Sequence, residues 1–384
     1  MENLPGEITS DILSRVDAGS ISPAKQVCKT WRGLLDHIKM GLILSSKGNP
    51  PRILYTDFDT LINSAGSTDV RIGSRNTIFE EFKPPVEGYS HFPFIGSCNG
   101  LLCVSLPMDH DSFRRDGAPS HIFNPITGEF AKLPGLDSPA MSILYHAGGF
   151  GYLHTTNEYK VVRICREKSE TGQMALKVEV YTLGGDCGWR NKGHIPLCKL
   201  QSLGMLANGA LYWLDYEGKR IVSFDLRDEK VRLVEPPPPL FSTGEEFRLL
   251  VEPPLPLSRM TSFRLRVLSG YLCLVHQKLG DCLDVWLLKK KNATGNAWGM
   301  EFGIKLEGSL YTDHDLITIT KTDEVLFCCK SRILCCYDLK TKALREFWER
   351  DSNSCSFQAI PHMKSSISLK GLGEKSVAWG SLAL

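Results

Sequence analysis

A chain of 384 residues can hold two or three domains, and 42% hydrophobic with 23% charged residues excludes wholesale disorder. A formal net charge of +2 excludes a nucleic-acid binder that relies on neutralising phosphates, the one dense basic run being Lys289-Lys290-Lys291. No run approaches the ~18 apolar residues needed to cross a bilayer, so no membrane partner is expected. The opening MENLPGEITSD has no basic-then-apolar leader. The thirteen cysteines therefore read as reduced thiols, and the expected compartment is nucleus and/or cytoplasm.

Leu4, Ile8, Ile12, Leu13 and Val16 recur at helical spacing, with Pro5 tolerated in a first turn whose amides lack partners. Asp17 to Gly19 break the pattern. Ser20 can cap a second short helix with Pro23 in its first turn. Trp31, Leu34, Leu35 and Ile38 repeat the spacing in a third helix. Three short helices in roughly forty residues cannot bury their apolar faces on one another alone, so part of that surface must meet a partner. This helical unit is expected to span 1–45.

From about residue 50 the texture is all-β, with short Val/Ile/Leu/Tyr/Phe runs bounded by turn residues. A turn followed by an apolar strand recurs as SCNGLLCV (97–104), LANGALYWL (206–214), LSGYLCLV (268–275) and KTDEVLFCC (321–329). A strand–turn–strand element follows each, as in HIFNPITGEFAKLP (121–134) and RILCCYDLKTKALREFW (332–348). The spacing of roughly 50 to 60 residues suits one propeller blade per copy. Segments 89–134, 147–196, 203–237, 265–306 and 315–348 give five blades, and pairing of 52–82 with 357–370 would close a sixth. The expectation for 50–384 is a β-propeller-like array of about six blades, with a two-sheet β-sandwich as the alternative. The proline runs at 235–240 and 252–257 are expected to be rigid connectors around a surface insertion.

The opening LPGEITSDILSRV…SISPAKQVCKTWRGLL resembles the F-box. The strings GSCNGLLCV, IFNPITGEFAKLP, FGYLHTTNEYKVVRI, VYTLGGDCGWRNKGHIP, NGALYWL and IVSFDLRDEKVRLVEPP resemble, in order, the F-box-associated region of plant F-box proteins. The resemblance implies a substrate receptor of a Skp–cullin–F-box ubiquitin ligase, its F-box on a Skp-type adaptor and its β domain on an unknown protein substrate. Carried over residue by residue, the adaptor-facing set is Leu4, Pro5, Ile8, Ile12, Leu13, Ile21, Val27, Cys28, Lys29 and Trp31. Two stretches depart from the family: Val16-Asp17 replaces a second Leu-Pro, and Ser22-Pro23-Ala24 stands where the second helix is usually apolar. At ~0.8 kcal/mol per buried CH₂, these imply a looser adaptor interface. A propeller binding module acting without ligase coupling is the alternative function.

Such a receptor needs no catalytic residue or cofactor. The sequence has no G-x-S-x-G, G-x-x-x-x-G-K-[ST], G-x-G-x-x-G or H-E-x-x-H motif. Cys328, Cys329, Cys335 and Cys336 are the strongest metal candidates. On a hairpin, however, adjacent cysteines point to opposite faces, which disfavours a tetrahedral zinc site. His91, His121 and His276 are expected to be structural or at the surface. Trp189, Trp213, Trp286, Trp298 and Trp348 are expected to pack between blades, and Cys28 is expected to serve packing rather than reactivity.

Overall fold

The computed structural model describes residues 9, 27–28, 31, 40–47, 51–63, 79–82, 92–105, 121–135, 144–168, 172–217, 219–238, 262–278, 282–291, 295–306, 314–320, 322–329, 331, 333–349, 356–375 and 377–379. The first sheet elements are β1 (Met40–Ser46) and β2 (Arg52–Asp57), then helix α1 (Phe58–Asn63) and β3 (Glu80–Phe82). Blade 1 follows with β4 (Phe94–Cys98), β5 (Leu101–Val104), β6 (His121–Phe123) and β7 (Glu129–Lys132). Blade 2 has β8 (Leu144–Leu153), β9 (Glu158–Lys168), β10 (Met174–Thr182) and β11 (Arg190–Pro196). Blade 3 has β12 (Met205–Ala207), β13 (Ala210–Asp215), β14 (Arg220–Asp225) and β15 (Val231–Val234). Blade 4 has β16 (Ser262–Leu268), β17 (Tyr271–Lys278), β18 (Cys282–Lys291) and β19 (Gly295–Lys305). Blade 5 has β20 (His314–Ile319), β21 (Glu324–Cys329), β22 (Ile333–Asp338) and β23 (Leu344–Glu349). The chain then adds β24 (Phe357–Met363) and β25 (Val377–Trp379).

The six sheets form a six-bladed β-propeller. Blade 6 has the order β24-β1-β2-β3, so the last inner strand closes the ring against the first strands of the chain. The closing partner of β24 is β1, paired from Met40↔Met363 to Ser46↔Phe357. The 52–82 strands complete the same sheet behind it. Residues 40–46, read from sequence mostly as part of the helical unit, are therefore a propeller strand. The inner strands touch in the cycle β4, β8, β12, β16, β20, β24 and back to β4.

Six apolar clusters fill the six gaps between neighbouring blades. A two-sheet sandwich has one such core, so that alternative is set aside. Burial on both faces explains why strands such as ALYWLD in β13 and EVLFCC in β21 read as continuous apolar runs.

The recurring Asn-Gly and Ser-Gly pairs are two-residue hairpin turns between the first and second strands of a blade. Asn99-Gly100, Asn208-Gly209 and Ser269-Gly270 have φ of 44° and 84°, 50° and 75°, and 49° and 81°. Positive φ at both central positions matches the right-handed twist of the flanking strands. The third-to-fourth strand hairpins share another device. Asn124, Asp225 and Asp338 each accept, through Oδ1, the backbone N–H groups two and three residues on, at 2.8–3.4 Å. Four residues beyond each of these, Gly128, Glu229 and Lys342 take positive φ of 73°, 55° and 60°.

Both kinds of turn lie at one end of the barrel of blades, here called the turn face. The Met40↔Met363 pairing brings the N-terminal segment in at this face. The ends of the second and fourth strands and the starts of the third and next first strands lie at the opposite end, here called the long-connection face.

Candidate functional site

Of the expected adaptor-facing set, Val27, Cys28 and Trp31 are described; Leu4, Pro5, Ile8, Ile12, Leu13, Ile21 and Lys29 lie outside the described residues. Val27 is 63% exposed. Cys28 is also exposed rather than packed, and its Sγ accepts the Trp31 N–H at 3.4 Å. That contact satisfies one of the amides a helix start leaves without an intrahelical partner. Trp31 is helical and half-buried.

The turn face is largely committed to internal contacts. After β24 the chain runs as a strap over blades 1 and 2, then adds β25 to the outer edge of β7. Asn124 Nδ2 donates to the carbonyls of Ser365 and Ile367 at 3.1 and 2.7 Å. The buried Glu129 carboxylate accepts Ser368 Oγ and the Leu369 N–H at 2.9 and 2.6 Å. Glu374 accepts the Tyr181 hydroxyl and the Gly184 N–H. Leu369 is fully buried in the blade 1–blade 2 cluster. Gly184 (φ +71°) is required here, since a Cβ would lie 1.9 Å from the Leu372 carbonyl oxygen.

Glu229, on the blade 3 turn, clasps blade 2. Its carboxylate meets Lys160 Nζ at 2.8 Å, and Arg190 and Lys192 at 2.5 Å each. Burial alone would raise its pKa. Hydrogen bonds from Lys160 and Lys192, with the charges of Lys160 and Arg190, outweigh that and hold it at about 2. Sequence reasoning missed this residue and the strap. The only local sign of Glu229 was its place in a turn motif, and its partners lie 37 to 69 positions away.

At the long-connection face, Ser262, Arg264, Arg266, Gln277, His314 and Asp315 line a solvent-open hollow of about 190 Å³ between blades 4 and 5. This is below the roughly 300–1,000 Å³ of small-molecule pockets. Arg264 donates to the His314 carbonyl at 3.1 Å, and Arg266 is engaged by Asp315 and the Leu316 carbonyl.

The cysteine hairpin divides as its alternation requires. Cys329 and Cys335 face blade 4 with Sγ atoms 3.4 Å apart, while Cys328 and Cys336 face blade 6. Among the described residues no group of three or more His, Cys, Asp or Glu could hold a metal. Burial pushes the Cys165 and Cys198 thiols up to about 11, and Cys273 and Cys336 to about 12, keeping them protonated. His121 and His276 sit in strands, their pKa lowered by burial to about 4; His91 lies outside the described residues.

Trp213 is wholly buried with Nε1 donating to the Gly148 carbonyl at 3.2 Å. Trp189 stacks over Arg163 and donates to the Pro134 carbonyl. Trp286 and Trp298 pack between blades 3 and 4. The side chain of Trp348 lies outside the described set, as does most of the insertion flanked by the proline runs.

Residues 72–368 match the family model described as the F-box associated beta propeller domain, and residues 1–39 match an F-box-like model. The Arabidopsis thaliana F-box protein At3g07870 is 27% identical, covering 88% of this chain and 86% of its own length. The Arabidopsis thaliana F-box/kelch-repeat protein At3g23880 is 23% identical, covering 75% of this chain and 76% of its own. With a closed propeller behind an F-box-like segment, the chain belongs to the plant F-box proteins that carry an F-box associated β-propeller domain.

Proposed function

We propose that this chain is the substrate-recognition subunit of a Skp–cullin–F-box ubiquitin ligase. The observation that carries the reading is the join: an F-box-like segment ending at residue 39 runs directly into a strand, Met40–Ser46, that closes a six-bladed ring. In this reading 1–39 docks a Skp-type adaptor and, through it, a cullin-RING scaffold, while the propeller holds the protein to be modified. The docking face consists of Leu4, Pro5, Ile8, Ile12, Leu13, Ile21, Val27, Cys28, Lys29 and Trp31. The exposure of Val27 supports this, since an anchor awaiting its partner stands in solvent. The chain itself supplies recognition and no chemistry, and works in the nucleus and/or cytoplasm.

The test is co-purification of the full chain with a Skp-type adaptor. The Leu13→Ala, Trp31→Ala double variant is expected to lose the adaptor while the propeller's melting transition is unchanged. Truncating a central interface Trp commonly costs ~2 kcal/mol or more. Adaptor recovery equal to wild type would sink the docking assignment. Absence of adaptor from the wild-type chain would favour a propeller acting without ligase coupling, the reading that Val16-Asp17 and Ser22-Pro23-Ala24 support.

A further inference from the structure

The sequence holds two Asn-Gly pairs, and both form the same kind of turn. Asn99-Gly100 joins Cys98 to Leu101, and Asn208-Gly209 joins Ala207 to Ala210, each with positive φ at both central residues. Their surroundings differ. Asn99 is 7% exposed, whereas Asn208 stands in solvent. A Cβ at Gly100 would lie 2.3 Å from the Ser365 Cβ and 2.9 Å from the Ser365 backbone nitrogen, so the strap lies directly on this turn. The same atom at Gly209 would meet only Leu153 Cδ1, at 3.8 Å. Asn124 holds the cover in place by donating to the Ser365 carbonyl.

An asparagine followed by glycine carries a latent reaction. The glycine backbone nitrogen, after losing its proton to hydroxide, attacks the asparagine Cγ. The new N–Cγ bond closes a succinimide ring, the Cγ–Nδ2 bond breaks, and ammonia leaves with a proton taken from water. Water then opens the ring at either carbonyl. The product is aspartate or isoaspartate, whose backbone runs through Cβ. Glycine favours the attack because no Cβ crowds its nitrogen.

The reaction also needs the asparagine to leave the left-handed region, so the turn has to open locally. At Asn208 that movement meets solvent. It is opposed by the three residue pairs between β12 and β13 and by the Leu226 N–H on the Gly209 carbonyl. At Asn99 the same movement meets the strap.

We infer that Asn208 is a site of spontaneous deamidation, which places a carboxylate on the turn face, and that the strap shields Asn99 from the same reaction. The isoaspartyl product lengthens the turn by one backbone carbon. The Gly209 carbonyl accepts the Leu226 N–H at 3.0 Å, tying this turn to the second hairpin of blade 3, and that bond is expected to open in the modified protein.

The test incubates the full chain at neutral and mildly alkaline pH, folded and in urea, and follows both asparagines by peptide mass spectrometry. In the folded chain Asn208 is expected to convert on the order of tenfold faster than Asn99, and faster at the higher pH. In urea the two rates should converge, because each asparagine then has only its neighbours in sequence to set its rate. Glu129→Ala, which loosens the strap, should speed conversion of Asn99 several-fold and leave Asn208 unchanged. Amide exchange at Leu226 should rise as Asn208 converts, and Asn208→Gln should abolish that rise.

The wild-type comparison stands without any variant. Equal rates at the two sites in the folded chain, faster conversion at Asn99, or an Asn208 that converts only in urea would each overturn the inference.

Discussion

Trp213 lies among the fully buried side chains of the blade 2–blade 3 cluster, with its only polar atom donating to Gly148. Trp213→Ala removes that packing and one of the two hydrogen bonds that the Gly148 carbonyl accepts, the other coming from the Gly204 N–H, so a loss of ~3–5 kcal/mol is expected in chemical denaturation. At this scale stability also depends on pH. Burial lowers the pKa of His121 and His276 to about 4 and of His362 to about 3. Below pH 6.5 the unfolded chain binds protons that these folded imidazoles refuse. Their contribution is therefore complete above the ordinary histidine value and is lost as pH falls through about 4.

Glu229 acts in a lower window. Its depressed pKa stabilises the fold above about 4.5 and fails as pH drops through about 2, worth ~3 kcal/mol at neutral pH. Urea midpoints measured from pH 7.5 downward should decline in both windows. Glu229→Gln should flatten the lower one, and an unchanged profile in that variant would count against the clasp.

At the scale of elements, strand β1 decides where the propeller begins. A chain starting at Met40 should fold, whereas one starting at residue 50 leaves β24 without its partner and the ring open. A cooperative melt from the shorter chain would contradict this closure. The strap makes a separate prediction: Glu129→Ala removes the acceptor for Ser368 and Leu369, so amide exchange at 364–375 should rise while the inner strands stay protected.

The hairpins were legible in the sequence because their cause is local. Asn-Gly and Ser-Gly supply two positive φ angles in adjacent residues, and the turn recurs in blades 1, 3 and 4. The cysteine pattern was legible for the same reason, since strand alternation alone separates Cys328 and Cys336 from Cys329 and Cys335. By contrast, MGLILSS in β1 follows a helical pattern without a break, and its partner β24 lies more than three hundred positions away. The anchors of the strap, Asn124 and Glu129, looked like ordinary turn residues because their partners lie 239 to 243 positions along the chain.

At the scale of the whole molecule, the ring has two unlike ends. The N-terminal segment enters at the turn face, where the strap and the Glu229 clasp already occupy blades 1 to 3. The hollow lined by Ser262, Arg264, Arg266 and Asp315 lies at the other end. Under the proposed function, an adaptor on 1–39 and a captured protein on the propeller would not compete for one surface. The most direct measurement of that claim is reconstituted ubiquitin transfer. The full chain is combined with a Skp-type adaptor, a cullin-RING scaffold and a charged conjugating enzyme. Transfer to the chain or its captured protein is expected with the wild type and absent with Leu13→Ala, Trp31→Ala. Transfer undiminished in that variant, or no assembly of the wild-type chain with the adaptor, would contradict the account.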